Sequence, residues 1–212
     1  PESWNLSHPE VITQIHRQYY EAGADVVFTN TFGVNGLKYS KEEIEKLVSA
    51  ALENAHRAAE LCSSGAGKKY VALDIGPLGK LLKPFGEVEF EDAVEAFAQT
   101  VRAAVRSSGC RPDLVIIETI NDAYESKAAV LAVKENCDLP IIVSNAYQED
   151  GKLLTGADPM TMITLLEGLR VDAIGMNCSM GPSQLLPIAQ EYIANSSLPV
   201  LFMPNAGMPC LK

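Results

Sequence analysis

Positive charge is scarce in this chain. Its 212 residues carry 17 Lys and Arg against 27 Asp and Glu, a formal charge of −10. That balance excludes the basic footprint needed for nucleic acid or an anionic membrane surface, so neither is an expected partner. Long apolar runs are also missing: no stretch approaches the roughly 20 residues of a membrane span. The opening residues PESWNLSHPE lack the basic and apolar blocks of a secretory signal. A cytoplasmic location is the expectation. Histidine is limited to His8, His16 and His56, all early in the chain, and these are expected to be packing or solvated residues. The five cysteines, Cys62, Cys110, Cys137, Cys178 and Cys210, are odd in number and contain no C-x-x-C pair. They read as free thiols or metal ligands rather than a disulfide framework. No G-x-G-x-x-G follows any apolar run, and the segment SSGAGKK lacks the spacing of a phosphate-binding loop, which makes it a solvated connector.

What the chain does have is a hydrophobic content of 47%, enough for one sizeable core. Pro9 to Ala22 carries apolar residues at helical spacing and stops at Gly23; Pro1 to Pro9 reads as the tail of a loop. Ala24 to Asn30 is a short β-branched strand. Ser40 and Glu43 form a capping box that opens a long helix toward Leu61. The pattern then repeats. Strands are expected over 70–75, 114–118, 141–144, 171–176 and 199–204, with helices over 90–108, 122–135, 158–169 and 183–195. The loop between Gly76 and Glu89 is long for a connection of this kind.

The strands are apolar throughout rather than alternating. They should therefore be buried on both faces, in a parallel sheet wrapped by helices. The missing dinucleotide loop and the polar groups at nearly every strand exit favour a (β/α)8 TIM barrel over an open doubly wound sheet. Six βα-type units are present where a barrel has about eight strands. The expectation is an α/β barrel domain spanning 1–212 and truncated at both ends, with the first strand and the last βα unit missing. Two exposed sheet edges would then make the isolated chain prone to self-association.

In a barrel, residues just after strands lie on the catalytic face and residues just before strands on the stabilising face. Cys62, Cys110 and Cys137 fall on helices or before strands and are expected to be structural. Cys178 and Cys210 follow strands. Cys178 closes the strand in VDAIGMNCSMGP, where a thiol could be a nucleophile, a soft metal ligand or simply a small buried side chain. Strand exits also collect Asn30, Thr31, Asp74, Glu118, Asn121, Asp122, Ser144 and Asn177. Glu118 stands out, because a carboxylate ending an apolar strand is costly unless it is paired or binds a cation. Asp74 carries the same argument in weaker form. No strand ends in Lys, which counts against Schiff-base chemistry.

Taken together, the segments HPEVITQIHRQYYEAGADVVFTNTFG (8–33), DIGPLGKLLKP (74–84), DLVIIETINDAYESKAA (113–129), EDGKLLTG (149–156), GMNCSMGP (175–182) and PNAGMP (204–209) resemble the homocysteine S-methyltransferase family, in its cobalamin-dependent, methionine-forming branch. The resemblance implies a barrel that binds homocysteine and transfers a methyl group to its thiolate. It also implies a catalytic zinc held by three cysteines: Cys178 is one ligand, and the remaining two are expected beyond Lys212. Cys210 matches no ligand position. The methyl donor would be methylcobalamin, so the partners implied are corrinoid-carrying and methyl-donor modules. S-methylmethionine or S-adenosylmethionine is the alternative donor, and a non-catalytic barrel remnant the alternative function. Glu118, with Asn121 and Asp122, would hold the substrate ammonium. Asn30, Thr31, Asp74, Ser144 and Asn177 would line the pocket.

Overall fold

The computed structural model describes residues 1–63, 67–107 and 109–207. The elements alternate as expected: α1 (Trp4–Ser7), α2 (Pro9–Glu21), β1 (Val26–Phe28), α3 (Lys41–Cys62), β2 (Tyr70–Ile75), α4 (Phe90–Arg106), β3 (Leu114–Ile120), α5 (Ala123–Lys134), β4 (Ile141–Asn145), α6 (Pro159–Gly168), β5 (Ala173–Asn177), α7 (Pro182–Asn195) and β6 (Val200–Met203). The start differs from the sequence reading. Residues 4–7 form a helical turn rather than a loop, held because Asn5 donates to the Asn30 carbonyl at 2.7 Å and Asn54 donates to the Asn5 carbonyl at 3.1 Å. The helix starts follow local chemistry. Ser40 and Glu43 make the reciprocal capping box, and Asp158 accepts from the Thr161 amide ahead of Pro159.

All six strands are parallel, and their spatial order is their chain order, β1-β2-β3-β4-β5-β6. Among the described residues the strand order has no reversal point, which argues against the doubly wound alternative. The helices from α2 onward pack in sequence on one face, each against the next. Val71, Leu73, Ile75, Val115, Ile117, Val143, Ile174 and Met176 point into this helix layer and share one cluster with it. The alternate residues Ala72, Asp74, Ile116, Ser144 and Asn177 project from the other face. A singly wound parallel sheet with helices on one side is consistent with six consecutive units of a (β/α)8 barrel. Among the described residues, β1 and β6 each keep one unpaired edge.

Residues preceding strands serve stability, as the barrel rule requires. Asp113 accepts the Val71 amide at 2.9 Å and Asp172 accepts the Ile141 amide at 2.8 Å, each carboxylate buttoning its own strand to a neighbour. Gly175 is needed for close approach, since a Cβ there would stand 2.0 Å from the Leu201 carbonyl oxygen on β6. The 76–89 loop is packed: Leu78 and Leu82 are buried and Lys83 donates its amide to the Val88 carbonyl at 2.9 Å. No helix among the described residues is long and apolar enough to cross a membrane.

Candidate active site

The polar residues gather where the strands end. At the β1 and β2 exits, three groups close a ring. The Thr31 hydroxyl donates to the Asp74 carbonyl at 2.7 Å, the Asp74 amide donates to Thr29 Oγ1 at 3.0 Å, and the two threonine hydroxyls lie 2.7 Å apart. Thr29 therefore donates to Thr31, and every polar hydrogen in the ring is used. Thr31 is thus committed to the backbone of Asp74, while Asn30 lies beside it and donates to the Pro1 carbonyl.

With its main chain held on both sides, Asp74 presents a carboxyl that is 6% exposed and whose Oδ1 has no partner among the described residues. Burial, then the neighbouring Glu118 and Glu2 carboxylates, push its pKa well above the ordinary aspartate value. Glu118, half-buried on β3, is raised by burial too. Neither carboxyl has a cationic partner among the described residues, and the Glu118 charge bears on Asp74 across the β2 and β3 exits. Glu2 is buried beside them but differs from both: it accepts the Gly33 amide at 2.8 Å and lies 3.4 Å from the Pro1 ammonium.

The sequence reading ends β3 at Glu118, whereas the strand continues to Ile120. The β3–β4 register shifts between Ile117 and Ile120, and Thr119 inside that bulge has φ of +61°. Its hydrogen bonds go to Asn177 at the end of β5. Asn177 Oδ1 accepts the Thr119 amide at 3.0 Å and the Ser144 hydroxyl at 2.7 Å, and Asn177 Nδ2 donates to Thr119 Oγ1 at 2.7 Å. Ser144 and Asn177 are buried, with their side chains occupied by this bridge. Next in the chain, Cys178 and Ser179 also adopt left-handed backbone, at +60° and +59°. The half-buried Cys178 donates its amide to the Met203 carbonyl at 3.1 Å.

Asp122 is buried and caps α5, accepting the Tyr124 amide at 2.8 Å and the Thr155 hydroxyl at 3.2 Å. Its carboxylate is thereby used at the helix start, and Asn121 stands beside it, half-buried. Cys62, Cys110 and Cys137 pack against the outer cluster, away from the strand exits, and Cys210 lies outside the described residues. His16 is buried against α2's own packing face, and burial depresses its pKa to about 4. Four participants escape the sequence reading: Glu2, Thr29, Asn145 and Glu125. Only Thr29 had a visible signal, two hydroxyls spaced i, i+2 at a strand end in T-N-T. Asn145 donates to the Ile120 carbonyl and to Ser126 Oγ, a pairing that only the folded chain brings together.

A groove of about 490 Å³ runs along the unpaired edge of β1, lined mainly by apolar residues of α2 and β1 and reaching the strand exits at Asn30 and Asp74. Glu118 and Cys178 do not line it. Among the described residues no three His, Cys, Asp or Glu side chains converge as a metal site. Cys178 is a single soft donor, compatible with one position of a thiolate-bound zinc and not by itself a site.

The profile of the homocysteine S-methyltransferase family matches residues 1–212, the whole chain. The chain belongs to the homocysteine S-methyltransferase family. Among its relatives in this family are the methionine synthases of Mycobacterium leprae (strain TN), 32% identical over 219 aligned positions, and of Mycobacterium tuberculosis (strain ATCC 25618 / H37Rv), 33% identical. Each alignment takes in 99% of this chain but only 18% of the relative, so the chain spans about a fifth of those proteins. The fold is also recognisable in three dimensions. The homocysteine methyltransferase MmuM from Escherichia coli superimposes with TM-scores of 0.82 in its apo form and 0.83 in its metallated form. Identity is 22%, and 98% and 97% of this chain and 75% of that one are covered. At that identity the likeness is one of fold.

Proposed function

We propose that this chain is the homocysteine-binding barrel of a methionine-synthase-type enzyme, in which the homocysteine thiolate accepts a methyl group to give methionine. The observation that carries this reading is the pair Asp74 and Glu118: one buried and one half-buried carboxyl at adjacent strand exits, both raised in pKa, with no cationic partner among the described residues. An α-ammonium placed between them would relieve both the desolvation and the mutual repulsion. Cys178 stands at the same end of the sheet, so a molecule with an ammonium at one end and a thiol at the other suits the arrangement.

Glu118 and Asp74 hold and orient the amino-acid end, and the ring formed by Thr29, Thr31 and the Asp74 backbone keeps the second carboxylate in place. Cys178 would be one thiolate ligand of a zinc ion, with the remaining ligands contributed from outside the described residues. A thiolate-held zinc supplies acidity: it lowers the pKa of a coordinated thiol so that the thiolate is present at neutral pH. The substrate sulfur then forms its bond to the methyl carbon as the donor's bond to that carbon breaks. The long relatives, of which this chain is about a fifth, support a donor carried on another module, and methylcobalamin is the donor we propose.

Titration calorimetry of the full-length protein with homocysteine tests the reading. Micromolar to millimolar binding in the wild type, weakened tenfold or more in E118Q, supports it. No heat with homocysteine in the wild type overturns it. Turnover assays with methylcobalamin, S-methylmethionine and S-adenosylmethionine in parallel decide the donor.

A further inference from the structure

Left-handed backbone is found at four non-glycine residues among those described: Thr119, Arg170, Cys178 and Ser179. Arg170 follows the end of α6, a position where such a turn is ordinary. The other three are concentrated at the β3 and β5 exits. For Thr119 the conformation is costly, because a β-branched side chain at positive φ clashes with its own backbone, on the order of 1–3 kcal/mol. Something must hold it there. The three hydrogen bonds to the Asn177 amide, at 3.0, 2.7 and, from Ser144, 2.7 Å, are what the fold provides.

The geometry has a particular connectivity. Because the β3–β4 ladder breaks between Ile117 and Ile120, the Thr119 amide has no β4 carbonyl to reach. Asn177 reaches across from β5, anchored on Ser144 of the intervening β4, and takes that amide on its side chain. The covalent neighbours of the bridged pair are Glu118, immediately before Thr119, and Cys178, immediately after Asn177. One buried amide therefore joins the backbone carrying the carboxylate to the backbone carrying the thiol, across two strand spacings.

We infer that Asn177 is a positioning residue that sets the separation of Glu118 and Cys178, and so selects an aminothiol of homocysteine's length over shorter ones. This rests on the functional reading given above. Asn177 does not touch substrate in this account; it acts through Thr119 on Glu118 and through its own backbone on Cys178. Ser144 sets the height of the amide and is the weaker member.

The test uses the full-length protein and three variants, N177A, E118Q and the double variant, with homocysteine and cysteine as probes. N177A is expected to weaken homocysteine binding tenfold or more and to shrink the preference for homocysteine over cysteine. In the E118Q background the same substitution should cost at least threefold less than in the wild type, because one of the two groups it positions is gone. An equal loss in both backgrounds, or an unchanged homocysteine preference, overturns the proposal. A second readout does not depend on the substrate: alkylation of Cys178 by iodoacetamide, followed by peptide mass spectrometry with Cys62 as internal reference. The rate should change at least threefold in N177A, and an unchanged rate overturns the latch even if homocysteine turns out not to be the ligand. If N177A does not fold, S144A removes one anchor only and is expected to shift both readouts two- to fourfold in the same directions.

Discussion

The Glu125 carboxylate, on the first turn of α5, accepts the backbone N–H of Leu78 at 2.7 Å. This bond ties the loop after β2 to the helix after β3, and it is buried: Glu125 is 3% exposed. Burial raises the Glu125 pKa to about 7, with the Asp122 charge adding and the Leu78 bond and Lys38 opposing. A carboxyl whose folded pKa lies above its unfolded value binds more protons in the native state. Stability therefore falls as pH rises from about 4.5 to 7, by on the order of 3 kcal/mol in full. E125Q keeps an acceptor for Leu78 without the charge. Urea denaturation should show E125Q gaining on the wild type between pH 4.5 and pH 8; a difference that is independent of pH refutes this.

His16 works in the opposite sense. Burial holds its pKa near 4 instead of 6.5, so the unfolded state takes the proton first. Stability is lost as pH falls from 6.5 toward 4, again by on the order of 3 kcal/mol. In the wild type the two slopes oppose each other between pH 4.5 and 6.5. H16F is expected to remove the acid-side loss and leave a monotonic fall toward pH 8, measurable in the same urea series.

Asp74 is a buried carboxyl with one unpartnered oxygen. D74N keeps its shape and removes the charge that must otherwise be desolvated near neutral pH. The expected result is an unchanged or higher Tm at pH 8, by a few degrees at roughly 2–4 °C per kcal/mol. Homocysteine binding should fall by tenfold or more. Loss of both stability and binding would mean that Asp74 serves the fold alone.

Gly175 faces the Leu201 carbonyl so closely that a Cβ would sit 2.0 Å from it. G175A must push β5 and β6 apart, and since the contact is with backbone the strain cannot be relieved by a rotamer. A loss of about 1–3 kcal/mol or more is expected, read as a lower urea midpoint.

The α2 residues Ile15 and Tyr19 are 42% and 63% exposed and line the groove along the unpaired edge of β1. Expressed as residues 1–212 alone, the chain should self-associate through this apolar edge. The pair I15K and Y19K is expected to shift sedimentation velocity profiles toward monomer.

Several features were legible in the amino-acid sequence because they depend on local order. Continuous apolar runs marked each of the six strands, S-x-x-E and Asp-Pro marked helix starts, and the placement of polar residues after strands pointed to one end of the sheet. The same logic separated Cys178 from Cys62, Cys110 and Cys137. The tertiary structure alone decided what those polar residues do. Thr31, Asp122, Ser144 and Asn177 sit at strand exits as anticipated, yet their side chains are taken up by the Asp74 carbonyl, the α5 cap and the Thr119 bridge. The β3 bulge that carries β3 past Glu118 to Ile120 was invisible, because it depends on an acceptor 58 residues away. Propensity and periodicity report on neighbours within a few positions, whereas a buried polar group is satisfied by whatever the fold brings within 3 Å of it.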